Sequence, residues 1–302
     1  MTIELSGIHI LLTYTCTSEC DHCFVWGSPF QEGTLSLDRL DEILDQAEEL
    51  RTVEWIYFEG GEPFLFHPVL VKAVETAAGA GFKVGLVSNA YWATEVRDAL
   101  EWLRPLEGLV QDLSVSSDLF HHSEEQDRLA ENAVAAAEEL GIPIGTISIA
   151  QPEGSGADGP VGQLPLGESP VRFRGRAVEK LAGEAPKKPW ESFNECPCED
   201  LRDPGRVHLD PLGNVHICQG ISLGNVFRST LAAISKAYDP EAHPVIGALL
   251  AGGPTELVRR FDLPHEPAYA DACHLCYEAR RALRDRFPDV LTPDQMYGGS
   301  ES

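Results

Sequence analysis

Positive charge is what this chain of 302 residues has least of: 23 Lys and Arg stand against 48 Asp and Glu, a formal net charge of -25. A surface of that sign repels phosphate backbones and anionic headgroups. The densest basic group, Arg172, Arg174 and Arg176, is too short to override it. No nucleic acid and no membrane are expected as partners. Missing too is any uncharged apolar run of about 18 residues, the length a membrane-spanning helix needs. The N-terminal MTIELSGIHILLTYTC carries an acidic residue and no basic leader ahead of its apolar run. The chain is expected to be soluble and cytoplasmic. Internal repeats are absent beyond an alternation of strand and helix patterns. Hydrophobic residues make up 43%, ample for a sizeable core.

Isolated cysteines are scarce as well. The eight fall into groups: Cys16, Cys20 and Cys23; Cys196, Cys198 and Cys218; Cys273 and Cys276. Only Cys218 stands apart. In a reducing compartment such tight spacing favours metal binding over disulfides.

What is present in the first half is a regular βα alternation, the mark of a parallel sheet. Strands are expected at 8–13, 53–58, 82–88, 109–116 and 142–150. Helices are expected at 36–50, 68–80, 94–103 and 123–140, with Ser36 and Ser123 as N-caps. The Gly- and Pro-rich residues 151–170 read as a loop, with a short sixth strand at Val171 to Phe173. The Pro-rich EAPKKPW at 184–190 marks a boundary. A core of residues 1–183 and a smaller unit of residues 184–302 are expected. Within the latter, RVHLD and VHIC read as strands of a hairpin around a Gly-Asn turn, with Cys218 at its end.

The first cysteine group, in TYTCTSECDHC, closes the first strand. At that rim of a parallel βα barrel the strand ends converge and loops vary freely, which is where active sites form. Three thiolates on one loop suit three irons of a cubane and leave the fourth iron without a protein ligand. Zinc is the rival on spacing, since His22 offers a fourth ligand. His9, inside a strand, reads as a core or surface histidine. After the second strand comes YFEGGEPFLF. Its paired glycines allow close backbone approach to a ligand, and the Glu62 carboxylate beside them accepts from an ammonium group.

CTSECDHC after one strand and GGEP after the next together resemble the radical S-adenosylmethionine (SAM) superfamily, over roughly residues 6–175. The resemblance implies an α/β fold, a partial (β/α)6 TIM-like barrel. It implies a [4Fe-4S] cluster on Cys16, Cys20 and Cys23, with SAM chelating the fourth iron and yielding a 5′-deoxyadenosyl radical on reduction. It places His22 near the adenine and Gly60, Gly61 and Glu62 at the methionyl amine. Ser88 and Asn89 in VSNA, and Ser116 and Asp118 in SVSSD, become candidate polar contacts to SAM; helix or turn capping is their alternative role. Arg174-Gly175-Arg176-Ala177 resembles an element late in many such barrels, where an arginine meets the SAM carboxylate, a substrate anion or merely a surface acid. The doublet in FHHSEE reads as a solvated loop.

The later cysteines resemble the SPASM and twitch extensions of the same superfamily: Cys198, Gly213 and Cys218, then Cys273-His-Leu-Cys276 ahead of a helix at 277–287. The chain has no cysteine beyond Cys276, so the shorter twitch form, a small hairpin-plus-helix extension, fits better. This implies an auxiliary [4Fe-4S] cluster on Cys198, Cys218, Cys273 and Cys276, with Cys196 spare and a role in electron transfer. Zinc on a ribbon is the alternative. The expected function is hydrogen abstraction from a small-molecule or peptide substrate, ending in oxidation, cross-linking or epimerisation. A reductant such as flavodoxin or ferredoxin is the expected partner. The alternatives are an activase or maturase acting with a partner protein, and a non-enzymatic iron–sulfur or zinc protein.

Overall fold

The computed structural model describes residues 3–117, 127–149 and 167–299. Strand β1 (Gly7–Thr13) is followed by α1 (Leu37–Leu50), β2 (Trp55–Gly60), α2 (His67–Gly79), β3 (Lys83–Ser88), α3 (Val96–Leu103), β4 (Asp112–Ser116), α4 (Asp127–Glu139), β5 (Ile144–Ile149) and β6 (Gly167–Ser169). Then come α5 (Arg176–Lys180), β7 (Lys188–Pro189), β8 (Arg206–Leu209), β9 (Asn214–Cys218), β10 (Ile221–Asn225), α6 (Leu231–Ala237), α7 (Ile246–Phe261), β11 (Ala268–Tyr269) and α8 (Ala272–Leu283).

Local sequence explains the first crossover. Ser36 accepts from the Arg39 amide and opens α1, whose Leu40, Ile43, Leu44 and Ala47 recur at helical spacing and are buried against the sheet. In β1, Ile8, Ile10 and Leu12 are buried on the alternate positions, and Ile56, Phe58, Val84 and Leu86 repeat the pattern on β2 and β3. The intervening positions His9, Tyr57 and Glu59 point to the opposite face, as strand alternation requires. That face carries the polar groups.

The sheet order is β10-β9-β8-β1-β2-β3-β4-β5-β6, with β1 to β6 all parallel to their neighbours. Strand β8 also pairs in parallel with β1, His9 opposite His208. The hairpin β8–β9 and the added strand β10 therefore extend the same sheet past its first strand. Residue pairs from 7/206 to 10/209 tie the C-terminal third of the chain to the N-terminal strand.

Two expectations are corrected. The sixth strand lies at Gly167–Ser169, ahead of Val171 and Phe173, which instead bury in a small cluster with Ala177, Leu181, Ala182 and Ala185. Helix α8 begins at Ala272 because Asp271 accepts from the His274 amide at 2.7 Å and caps it, so Cys273 and Cys276 lie within the helix rather than before it. The start of the fourth helix at Ser123, Asp118 and the FHHSEE doublet lie outside the described residues. No helix among the described residues is long and apolar enough to cross a membrane.

Candidate functional site

Cys16 and Cys20 are buried and Cys23 half-buried on the loop joining β1 to α1. Bridges between Thr13 and Thr34, and between Thr15 and Ser28, fold that loop back on the end of β1. N–H groups aim at its sulfurs. The Gly27 amide is 3.2 Å from Cys23 Sγ, the Ser18 amide 3.5 Å from Cys16 Sγ, and Asn89 Nδ2 3.6 Å from Cys16 Sγ. Burial pushes the Cys16 thiol up to about 12. A free thiolate is disfavoured there, whereas a metal cation inverts that preference and the N–H donors then face the charge. This donor set fits an iron–sulfur cluster.

Arg176 fixes the loop. It is buried; Nη1 donates to the Cys20 carbonyl and Nη2 to the Gly27 carbonyl, each at 2.8 Å, while its own amide donates to the Cys23 carbonyl at 3.0 Å. Gly175, at φ +60°, sits so close that a Cβ would lie 2.6 Å from the Cys23 carbonyl oxygen. Arg176 Nη2 also lies 3.9 Å from the exposed carboxylate of Glu19, so this arginine meets a surface acid as well as the loop carbonyls. From the other side, Gln295 Nε2 donates to the Val25 and Trp26 carbonyls at 2.9 and 3.2 Å, and Trp26 Nε1 to Tyr277 Oη at 3.2 Å.

The paired glycines are required by packing against the cysteine loop. A Cβ on Gly60 would lie 2.4 Å from the Thr13 carbonyl oxygen, and one on Gly61 2.2 Å from that of Thr15. The Gly61 and Glu62 amides donate to those same two oxygens, at 2.7 and 2.9 Å. The glycines bring β2 against the start of the cysteine loop, and the amides are used there. Glu62 is fully buried: Oε1 accepts from the Phe64 amide at 3.0 Å and Ser88 Oγ at 2.9 Å, and Oε2 from the Asn89 amide at 2.7 Å. Burial pushes its carboxyl up to about 7, against the pull of those three donors. Asn89 Nδ2 also reaches Thr17 Oγ1 at 2.9 Å. Glu62, Ser88 and Asn89 therefore form one network under Cys16. His22 is half-buried on the cysteine loop, and Ser116 ends β4 opposite Ile147.

The second cysteine group converges on one cavity, lined by Cys196, Cys198, Cys218, Cys273, Cys276, Arg174 and Arg280 among others. Cys198 Sγ is 3.6 Å from Cys273 Sγ, and Arg174 Nη1 is 3.6 Å from Cys218 Sγ. A hydrogen bond from Cys273, with Arg172 and Arg174 nearby, draws Cys198 down to about 7 against burial. Burial, with Cys218 adjacent, pushes Cys196 up to about 12. Cys196 is thus as much part of the cavity as its four companions. Arg280 went unread in the sequence, though its spacing from Cys273 and Cys276 puts all three on one face of α8. Arg174 also stacks over Phe24, 5.0 Å from the ring centroid, so it touches the residue after Cys23 and the second cysteine group at once.

Below the cysteine loop, on the polar face of the sheet, Glu59 lies between His9 and His208. Burial opposes the Glu59 carboxylate, but the two histidines hold it well below the usual range. Tyr57 stacks on His9 with 4.6 Å between centroids and donates to Asp112 at 2.9 Å. Sequence reading left His9 as a core or surface residue and did not single out Glu59 or His208; the signal lay in their shared polar face.

Six parallel strands carrying a three-cysteine loop at the end of the first define the class of protein. Residues 10–147 match the family model of the Radical SAM superfamily. That match takes in just under half of the chain, and the superfamily it describes implies a [4Fe-4S] cluster and SAM. It is 27% identical over 115 residues to the putative peptide biosynthesis protein YydG of Bacillus subtilis (strain 168), covering 38% of this chain and 36% of that one. It is 32% identical over 107 residues to the tungsten-containing aldehyde ferredoxin oxidoreductase cofactor-modifying protein of Pyrococcus furiosus, covering 35% and 28%. The matched stretches span about a third of those relatives. The crystal structure of BtrN in complex with AdoMet and 2-DOIA superposes with a TM-score of 0.52 at 16% identity, over 79% of this chain and 85% of that one. That likeness is one of fold, a TIM-like partial barrel.

Proposed function

We propose that this chain is a radical SAM enzyme that abstracts hydrogen from a peptide substrate, with a second, auxiliary cluster on its C-terminal cysteines. The single observation that carries the reading is the three-thiol loop, in which N–H groups of Gly27, Ser18 and Asn89 face Cys23 and Cys16. When bound, the cluster and SAM supply a reducing electron and a 5′-deoxyadenosyl radical. This chain's residues do the rest. Cys16, Cys20 and Cys23 bind the cluster, and Arg176 and Gln295 fix the loop by its carbonyls. Glu62, held rigid by Ser88 and Asn89, keeps a fixed acceptor beside the loop for the methionyl amine; His22, Gly60, Gly61 and Ser116 belong to the same proposed SAM surface.

Cys198, Cys218, Cys273 and Cys276 are the proposed auxiliary ligands, with Arg174 and Arg280 as fixed cations beside the anionic sulfurs. With four thiolates that cluster is closed and serves electron transfer. A reductant such as flavodoxin or ferredoxin supplies electrons. A peptide substrate is supported by the similarity to YydG. A small polar molecule is the second reading, favoured by the polar sheet face of His9, Tyr57, Glu59 and Asp112 below the loop. Incubation of reduced, reconstituted protein with SAM, with and without candidate peptides, tests both: peptide-stimulated 5′-deoxyadenosine supports the first reading, and formation that no peptide increases supports the second.

A further inference from the structure

The polar face of the sheet holds a cluster that neither cysteine group uses. His9 on β1, Glu59 on β2 and His208 on β8 come from three adjacent strands, so the sheet itself sets their separation. His9 Nδ1 is 3.3 Å from Glu59 Oε2, and His208 Nε2 is 3.2 Å from Glu59 Oε1. Ligand atoms of all three lie within 4.8 Å of one another. Each side chain is between 12% and 14% exposed.

Two polar atoms here are buried without a hydrogen bond. Glu59 Oε1 has only the His208 ring facing it, at 3.2 Å in a poorly aligned contact, and Arg206 Nε has no acceptor. A buried carboxylate oxygen that lacks a well-aligned donor is under-satisfied, so a structure that keeps one needs a reason. A cation seated between the carboxylate and the two imidazoles satisfies it.

We propose that His9, Glu59 and His208 form a binding site for a divalent transition-metal ion, with zinc as the best fit. Two imidazoles and a carboxylate are a donor set for such ions. Ligands about 2.0–2.1 Å from a tetrahedral ion lie about 3.4 Å apart, close to the two short separations seen; small side-chain rotations close the third. The rings are already oriented, His9 by its stack on Tyr57 and His208 by Phe24, edge-on at 6.1 Å. An entry path exists. A cavity of about 700 Å³ opens beside His9, with Glu199, Asp200 and Asp203 in its wall against the single cation Arg206. Arg206 Nη1, 3.4 Å from His208 Nε2, also faces Glu199 at 3.6 Å through Nη2, which holds its charge when an ion displaces it. No cysteine takes part, so the site is distinct from both thiol groups.

The test is zinc K-edge X-ray absorption on iron-replete holoenzyme given one equivalent of zinc(II) and passed through gel filtration. We expect about one zinc per chain with a nitrogen and oxygen shell at about 2.0–2.1 Å, imidazole scattering and no sulfur at about 2.3 Å. Glu59→Gln and His208→Ala each lower zinc retention at least about tenfold while iron content stays constant. Zinc lost from the wild type, a sulfur shell around it, or undiminished retention in both variants overturns the proposal. Should a variant fail to fold, the wild-type spectrum alone decides.

Discussion

Arg176 Nη1 donates to the carbonyl of Cys20 at 2.8 Å, joining residues 156 positions apart. A second bond to Gly27 makes the guanidinium a fork across the cysteine loop. Each charge-assisted bond is worth about 1.5–3 kcal/mol when buried. Arg176→Ala should cost the holoprotein about four irons and its SAM cleavage, leaving the C-terminal iron in place. Arg176→Lys keeps the charge but not the fork, and should recover part of the iron. Iron quantitation after reconstitution measures both.

Gly61 is fixed by space. An added methyl meets the Thr15 carbonyl oxygen at 2.2 Å, next to Cys16. Gly61→Ala should destabilise by about 1–3 kcal/mol or more and displace the cysteine loop. The expected result is a lower thermal midpoint and loss of the iron held by the N-terminal loop. Gly79→Ala, where a methyl meets nothing within 4 Å, serves as the neutral control.

The five C-terminal thiols make a count testable. A closed four-iron cluster needs four of them. Cys273→Ala and Cys276→Ala should each lower iron from about eight to about four per chain, and Cys196→Ala should leave about eight. Iron near four in the wild type, with zinc in its place, would make the second site a zinc site.

Asp210 ties the hairpin to the base of the cysteine loop. It is fully buried and accepts from Tyr14 Oη at 2.9 Å, His216 Nε2 at 3.0 Å and the Asn214 side chain at 2.9 Å. Burial opposes its carboxylate, yet His216 and Asn214 hold the carboxyl below its ordinary value. A depressed carboxyl contributes stability that is present above the unfolded value, about 4, and is lost as pH falls through it towards the folded value. The wild type should therefore exceed Asp210→Asn in stability by a constant margin from pH 5 to 7, narrowing below about pH 4. Chemical denaturation of both proteins side by side measures the margin; a gap that does not narrow contradicts the assignment.

The parts of this fold carried by local pattern were legible before the structure. The alternation of Ile8, Ile10 and Leu12, the Ser36 cap and the apolar stripe of α1 each depend on neighbours within a few residues. So did the grouping of the cysteines. Long-range pairing left no such trace: nothing near Arg206 signals that β8 will lie beside β1, and with that pairing the closeness of His9 and His208 was hidden. Val171 and Phe173 looked like a strand because apolar side chains in short runs suit either a strand or a loop-covering cluster. Asp271 as a cap was readable in principle, since Asp before a helical stripe is a start signal, but the cysteine spacing drew the helix start later. Arg176 carried no local sign that its partners would be backbone carbonyls.

The central claim is that the three-thiol loop supports cleavage of SAM. The most direct measurement is formation of 5′-deoxyadenosine by anaerobically reconstituted, chemically reduced protein given SAM, beside Cys23→Ala treated identically. The account predicts product from the wild type and none from Cys23→Ala. Equal product from both, or none from a wild type that retains its full iron, would contradict it.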